Sequence, residues 1–291
     1  MPTRRTFLGT ALVTPLIAGS ITQGADSGAR DGELAVMTYN LRFANEKPPN
    51  DWPTRRPIVA ELIRRYRPDV IGTQEGLYGQ LRSMEADLEG YGSIGLGRDG
   101  GSRGEFMQVF YRQDRLEPLE YDHFWLSDTP EVMGSSTWGN TNRRMVTSVR
   151  FLDRTTRRQF HFWNTHLDHA LQGAREKAAE LILRRIGKQV DPKLPLLLVG
   201  DFNAEARANP VYDTLVNPAA LQDTWYLAKE RRNETANSFN GFNPLRENGE
   251  RIDWILARGP LSVRASEVVT FRKGDQWPSD HCPVMAWLEW S

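Results

Sequence analysis

Nine short runs rich in Val, Ile, Leu, Phe, Tyr and Trp recur along the chain, at 34–39, 70–73, 106–111, 145–151, 159–165, 194–199, 252–257, 263–271 and 283–289. Runs of that length and composition predict β-strands, and so many of them demand sheets with buried faces. Helical periodicity is sparser. Ile58, Val59, Leu62, Ile63 and Tyr66 share one face of a helix that starts with Asp51 or Thr54 as N-cap and stops at Pro68. Leu77, Leu81, Met84 and Leu88 line a second helix ending at Gly90, and Ala178, Leu181, Ile182 and Ile186 a third ending near Gly187. A short fourth opens with Asn209 as cap and Pro210 in its first turn, burying Val211 and Leu215. A few helices among many closely spaced strands predict a layered α/β or α+β sandwich, not a regularly alternating parallel sheet. Two polar stretches, 121–144 and 233–250, are expected to be loops long enough to carry function.

The ends of the strands carry the chemistry. Asn40 follows 36–39, Glu75 follows 70–74, and His166 and Asp168 follow 160–165. Asp201 and Asn203 follow 196–200, Asp253 lies within 252–256, and Asp280 and His281 precede 283–285. The two-residue period of a strand turns Asp201 and Asn203 to one side, and likewise Asn164, His166 and Asp168. Carboxylates at the mouths of buried strands are expensive unless they pair with cations, change pKa or hold a metal. Cys282 is the only cysteine, which excludes an intramolecular disulfide and a thiolate zinc centre. Carboxylate and amide oxygens suit Mg²⁺, Mn²⁺ or Ca²⁺, and a hard cation beside imidazoles suits hydrolysis of a phosphate ester.

Charge and the N-terminus bound the partners. Lys plus Arg equals Asp plus Glu at 37 each over 291 residues, so the surplus cation that grips a polyanion is missing, although a local basic patch stays open. Thr3-Arg4-Arg5-Thr6-Phe7-Leu8 precedes an apolar run at 8–21 that is too short to span a bilayer. That pattern resembles a twin-arginine export signal, here residues 1–25 with cleavage between Ala18 and Ala25. The expected product is periplasmic or extracellular, with no transmembrane segment in the mature chain. It consists of a flexible lead-in at 26–33 and one domain at 34–291, and is expected to be a monomer.

Six pieces carry a resemblance: Met37-Thr38-Tyr39-Asn40, Gln74-Glu75, Asn164-Thr165-His166-Leu167-Asp168-His169, Gly200-Asp201-Phe202-Asn203, Arg251-Ile252-Asp253-Trp254 and Ser279-Asp280-His281-Cys282-Pro283-Val284. In that order they resemble the endonuclease/exonuclease/phosphatase superfamily, in an exported bacterial subgroup. The resemblance implies a four-layered α/β/β/α sandwich of two mostly antiparallel sheets and a Mg²⁺ (or Mn²⁺) cofactor. Glu75 would be the principal metal ligand, with Asn40 adjacent and Asp280 a further ligand or its acceptor. Asp201 would orient or deprotonate the attacking water, and Asn203 would hold that water or the phosphate. His166 and His281 would donate to phosphate oxygens, with Asp253 fixing the His281 tautomer and raising its pKa. Arg144, Asp168 and Trp125 are the substrate-binding candidates.

One departure narrows the substrate. Arg42 stands two positions after Asn40, where the abasic-site nucleases carry an acid, and no basic tail is evident, so duplex DNA is disfavoured. Plainer readings compete residue by residue. Asp201 and Asn203 make an Asp-turn, Glu75 caps a helix, Asp253 pairs with Arg251, His166 is a core histidine, and His169 caps the next helix. Arg144 belongs to one of several arginine doublets, Trp125 and Trp138 are core aromatics, and His123 and His161 are structural. The expected function is an exported, metal-dependent phosphoesterase attacking a diester or monoester with activated water. The alternatives are a secreted nuclease scavenging phosphate and a catalytically silent module binding glycan or phospholipid headgroups.

Overall fold

The computed structural model describes residues 29–30, 32–44, 47–217 and 220–291; the expected export signal at 1–25 lies outside them. The chain opens with β1 (Leu34–Asn40), α1 (Trp52–Tyr66), β2 (Val70–Gly76), α2 (Tyr78–Asp87), β3 (Tyr91–Ile94) and β4 (Phe106–Arg112). It continues through β5 (Leu116–Trp125), β6 (Met145–Asp153), β7 (Arg158–His166), α3 (Gln172–Gln189), β8 (Leu196–Asp201) and α4 (Pro210–Leu215). Last come β9 (Gln222–Asp223), α5 (Thr224–Leu227), β10 (Glu230–Arg232), β11 (Asp253–Arg258), β12 (Leu261–Val268) and β13 (Val284–Trp290).

These strands form a seven-stranded sheet, β10-β12-β13-β1-β2-β4-β3, and a six-stranded sheet, β5-β6-β7-β8-β11-β9. Pairing is mostly antiparallel, with parallel contacts at β1/β2, β7/β8 and β10/β12. The sheets bury one apolar layer between them, where Val36, Val70 and Val284 meet Phe162, Val199 and Ile255. The outer face of the first sheet packs Met37, Met285 and Trp287 against Leu62 and Ile63 of α1 and Leu81 and Met84 of α2. The outer face of the second packs Leu198, Phe202 and Trp254 against Ala178 and Ile182 of α3 and Val211 of α4. Helix, sheet, sheet, helix is therefore the order of layers, as the family resemblance implied. Among the described residues no helix is long and apolar enough to cross a membrane.

Local predictions hold where side-chain chemistry is decisive and shift where packing intervenes. Asn209 caps α4 by accepting from the Val211 amide, with Pro210 in the first turn. Asp51 is the N-cap of α1, but its carboxylate accepts from the Thr54 hydroxyl instead of a helix amide. The third helix ends near Gly187, at Gln189, with Ile186 and Val190 still finding partners in the core. Residues 121–125, read as the start of a loop, close the ten-residue strand β5. Its alternation is masked by Pro118 and three acids, which an edge strand with one solvated face tolerates. The described end of the lead-in is anchored at Glu33, fully buried, whose carboxylate pairs with Arg264.

Register explains why the strand-end residues converge. Asn40 on β1 stands opposite Gln74 on β2, and His166 on β7 opposite Asp201 on β8, so parallel neighbours deliver their C-terminal ends together. Antiparallel β11 brings its first residue, Asp253, opposite Asp201, and β13 begins just after Asp280 and His281. Beneath this end a polar latch ties the sheets. Asn164 Oδ1 accepts from Gln74 Nε2 at 2.7 Å, while Asn164 Nδ2 donates to the carbonyls of Thr73 and Gln108.

Candidate active site

The latch leaves space above it for a cleft of about 370 Å³ whose lining includes Glu75, Asp201, Asp280, His166 and His281. Asn40 Nδ2 donates to Glu75 Oε1 at 3.0 Å and to Asp201 Oδ2 at 2.9 Å, bridging the two sheets with one amide. Glu75 also accepts from the Phe43 amide at 3.1 Å. Its backbone is left-handed, φ 63°, at a register shift in β2, and Asn203 just past β8 has φ 48°. Non-glycine residues adopt that conformation at a cost of about 1–3 kcal/mol, and here both side chains face one cleft as a result. Ser279 donates its hydroxyl to the Asn40 carbonyl at 2.7 Å, which pins the turn carrying Asp280 and His281 to the end of β1.

His281 is the electrostatic centre. Its Nδ1 lies 2.9 Å from Asp253 Oδ2 and its Nε2 3.8 Å from Asp201 Oδ2. Burial works to lower its pKa, but the Asp253 and Asp201 carboxylates outweigh burial and raise it to about 10. The imidazolium is therefore the form at neutral pH. Asp201 is fully enclosed: burial and then the Asp253 charge push it up to about 7, against the pull of His281 and the bonds from Asn203 and Asn40. His166 behaves oppositely, since burial and the nearby Arg144 cation hold it well below 6.5. Its Nε2 is 2.9 Å from Asn203 Nδ2, which also donates to the Leu167 carbonyl. In this arrangement the neutral ring accepts at Nε2, and donation from that atom to a phosphate would require the Asn203 amide to turn over.

The opposite wall is basic. Arg144 is 4% exposed, its Nη2 lies 3.1 Å from His169 Nδ1 and its Nε 3.6 Å from Asp168. Its Nη1 is buried with no hydrogen-bond partner. Arg98 pairs with Glu105 at 2.6 Å on the same wall. Phe239, from the 233–250 loop, tilts over His281 with ring centroids 4.9 Å apart and is nearly half exposed at the rim. Arg98, Glu105, His169 and Phe239 were not singled out as site residues by sequence, because each lies in a loop whose position only the fold sets.

Other sequence candidates land elsewhere. Trp125 does not line the cleft: it is buried against Met107 and Met145, with Nε1 donating to the Arg98 carbonyl. It is a support for Arg98, with no face free to stack on substrate. Asp168 Oδ1 accepts from the Ala170 and Leu171 amides and Oδ2 faces Arg144, so its contacts are with the chain. Arg251 pairs with Asp223 at 2.8 Å, leaving Asp253 to His281. His161 lines a separate hollow of about 220 Å³ with Glu120 and Arg150, remote from the carboxylate cluster.

The donor set fits a hard divalent cation. Glu75, His166 and Asp201 each bring a ligand atom within 4.8 Å of the others, and Asp201, Asp253 and His281 form a second such group. Oxygen dominates and thiolate is absent, since Cys282 is buried and its sulfur accepts from Asn240. Glu75, His166 and Asp201 are the residues spaced to hold an ion, with Asn40 bonded to both of the acids.

An α/β/β/α sandwich with carboxylates and imidazoles gathered at one end of both sheets is the architecture of hydrolases acting on phosphate esters. Residues 37–281 match the Endonuclease/Exonuclease/phosphatase family, and the chain belongs to it. An endonuclease/exonuclease/phosphatase from Bacteroides vulgatus superposes with a TM-score of 0.83 at 32% identity, covering 89% of this chain and 99% of that one. A mannosyl-6-phosphatase from Bacteroides thetaiotaomicron superposes at 0.82 with 33% identity over 88% of this chain and 99% of that one. Nocturnin of Drosophila melanogaster is 28% identical over 285 residues, 82% of this chain but 42% of that protein. A protein of Acanthamoeba polyphaga mimivirus is 30% identical over 176 residues, 57% of this chain and 63% of that one. The chain spans less than two thirds of the length of the latter two relatives.

Proposed function

We propose that the chain is a Mg²⁺- or Mn²⁺-dependent phosphoesterase, exported through the twin-arginine pathway, that hydrolyses its substrate by in-line attack of activated water. The observation that carries the reading is a cleft with two walls of opposite charge. Glu75, Asp201 and Asp280 face Arg98, Arg144 and His169, and Arg144 keeps its buried Nε and Nη1 without hydrogen-bond partners. A cation paired with a phosphate matches both walls at once.

A bound divalent ion, held by Glu75 and Asp280, would supply charge neutralisation at a phosphate oxygen. The residues of the chain do the rest. Asp201, whose pKa of about 7 balances proton acceptance against release, takes the proton of the attacking water, and Asn203 holds that water in line. His281, charged and fixed by Asp253, donates from Nε2 to a phosphate oxygen as negative charge grows. Arg144 and Arg98 orient the remaining oxygens.

The mannosyl-6-phosphatase neighbour makes sugar phosphomonoesters the first class to assay, and the exposed Phe239 ring offers an apolar face for a leaving group. The nuclease reading draws support from a 24%-identical relative, a probable RNA exonuclease of Saccharomyces cerevisiae, but the balanced charge disfavours a long polyanion. A panel of sugar phosphates, generic phosphodiesters and single-stranded RNA, run with chelator and then with added Mg²⁺ or Mn²⁺, tests the proposal. Turnover that persists undiminished in excess chelator refutes the metal-dependent mechanism, and binding without turnover favours the silent module. Replacing Arg4 and Arg5 with lysine is expected to retain the precursor in the cytoplasm; unchanged export removes that part of the reading.

A further inference from the structure

Arg42 is a cation inserted between two acids of the cleft, Glu75 and Asp280, and its surroundings are built. Its amide donates to Asn40 Oδ1 at 2.9 Å, and its carbonyl accepts from Arg55 Nη2 and Gln80 Nε2, both at 3.0 Å. Arg55 is fully buried and also grips the carbonyls of Leu41, Phe43 and Pro278, so it ties the loop after β1 to the turn that carries Asp280. Arg42 itself has φ 53°, a left-handed backbone that aims its side chain across the cleft. Its guanidinium lies 4.3 Å over the Phe43 ring, with Nη1 3.9 Å from Glu75 Oε2 and Nε 3.6 Å from Asp280 Oδ2.

The backbone is thus held firmly while the charged head is held loosely. Arg56, by contrast, closes direct bonds on Asp87 at 2.7 and 2.8 Å. Arg42 sits between two carboxylates at ion-pair distance and closes a hydrogen bond with neither. We propose that Arg42 is a resident counter-cation that competes with the divalent ion for Glu75 and Asp280, and that on metal binding its guanidinium turns to clamp the substrate phosphate. This rests on the metal-dependent reading above. The guanidinium keeps the two acids from repelling each other before the ion arrives, and its five N–H donors then match the oxygens of a phosphate.

The test needs no turnover. Mn²⁺ is titrated calorimetrically into the wild-type chain, R42Q and R42K without substrate, and inorganic phosphate is then titrated in saturating Mn²⁺. Loss of the competing charge is expected to tighten Mn²⁺ binding to R42Q about tenfold, equivalent to roughly 1.4 kcal/mol. Phosphate binding to R42Q is expected to weaken at least about tenfold, with R42K between the two because it keeps the charge without the fork. Unchanged or weaker Mn²⁺ affinity in R42Q overturns the proposal, as does unchanged phosphate affinity. If the wild-type chain itself fails to bind Mn²⁺, the metal-dependent reading falls instead. The thermal midpoint of each variant confirms folding, and if R42Q does not fold, R42M, which also removes the charge, carries the same comparison.

Discussion

Neutralising Asp253 isolates the electrostatics of the site in one isosteric change. Asp253 is 1% exposed, its Oδ2 is 2.9 Å from His281 Nδ1, and Oδ1 has no hydrogen-bond partner. Two unit charges at that separation interact by about 6 kcal/mol at an effective dielectric near 20, an upper bound of roughly four pKa units. In Asp253→Asn, burial then dominates and the His281 pKa, raised to about 10 in the parent, is expected to fall to neutrality or below. The assay is the pH dependence of kcat between pH 5 and 10 at saturating metal. The alkaline limb is expected to move to lower pH by about 3 units, and the rate at pH 8 to drop by roughly 10²–10⁴. A limb that stays in place would refute the assignment of His281 as a charged donor. The linkage has a definite sign. Because the folded-state pKa is raised above 6.5, the pair contributes stability that is fully present below that value and lost as pH rises through about 10.

Further outcomes follow from other features. Asp201 is raised from 3.8 to about 7, so the metal-free protein loses stability as pH climbs through that window, on the order of a few kcal/mol. Asp201→Asn in chelator is expected to hold its thermal midpoint more nearly level between pH 4 and 6.5, below the window in which His281 titrates, while the parent's falls; parallel curves there would contradict the raised pKa. Gly72→Ala would drive a Cβ into Val199 Cγ2 and to 2.8 Å from Asn164 Oδ1, so denaturant unfolding should show a loss of about 1–3 kcal/mol. No loss would mean the sheets are not in contact there. Arg144→Gln is expected to lower kcat/KM at least about a hundredfold by removing phosphate contacts. An unchanged kcat/KM would take that guanidinium out of the phosphate site.

Much of the architecture was legible from local pattern alone. The apolar runs mark nine strands because alternation and β-branched composition are properties of consecutive residues, and Asn209-Pro210 marks a helix start for the same reason. Glu75, Asp201, Asp280, His166 and His281 of the cleft were legible too, each standing where an apolar run meets polarity. What consecutive residues do not encode is register and the choice of facing surfaces. Only the parallel pairing of β1 with β2 and β7 with β8, with β11 reversed beside β8, gathers Asn40, Glu75, His166, Asp201 and Asp253 at one end. The loop residues Arg42, Arg98 and His169 carry no periodic signal, and Trp125 was ambiguous until packing buried it. Composition thus determined which chemical groups were available. The tertiary fold decided their distances, and because Coulomb interaction and desolvation both depend on distance and burial, it also decided that His281 is charged and His166 neutral.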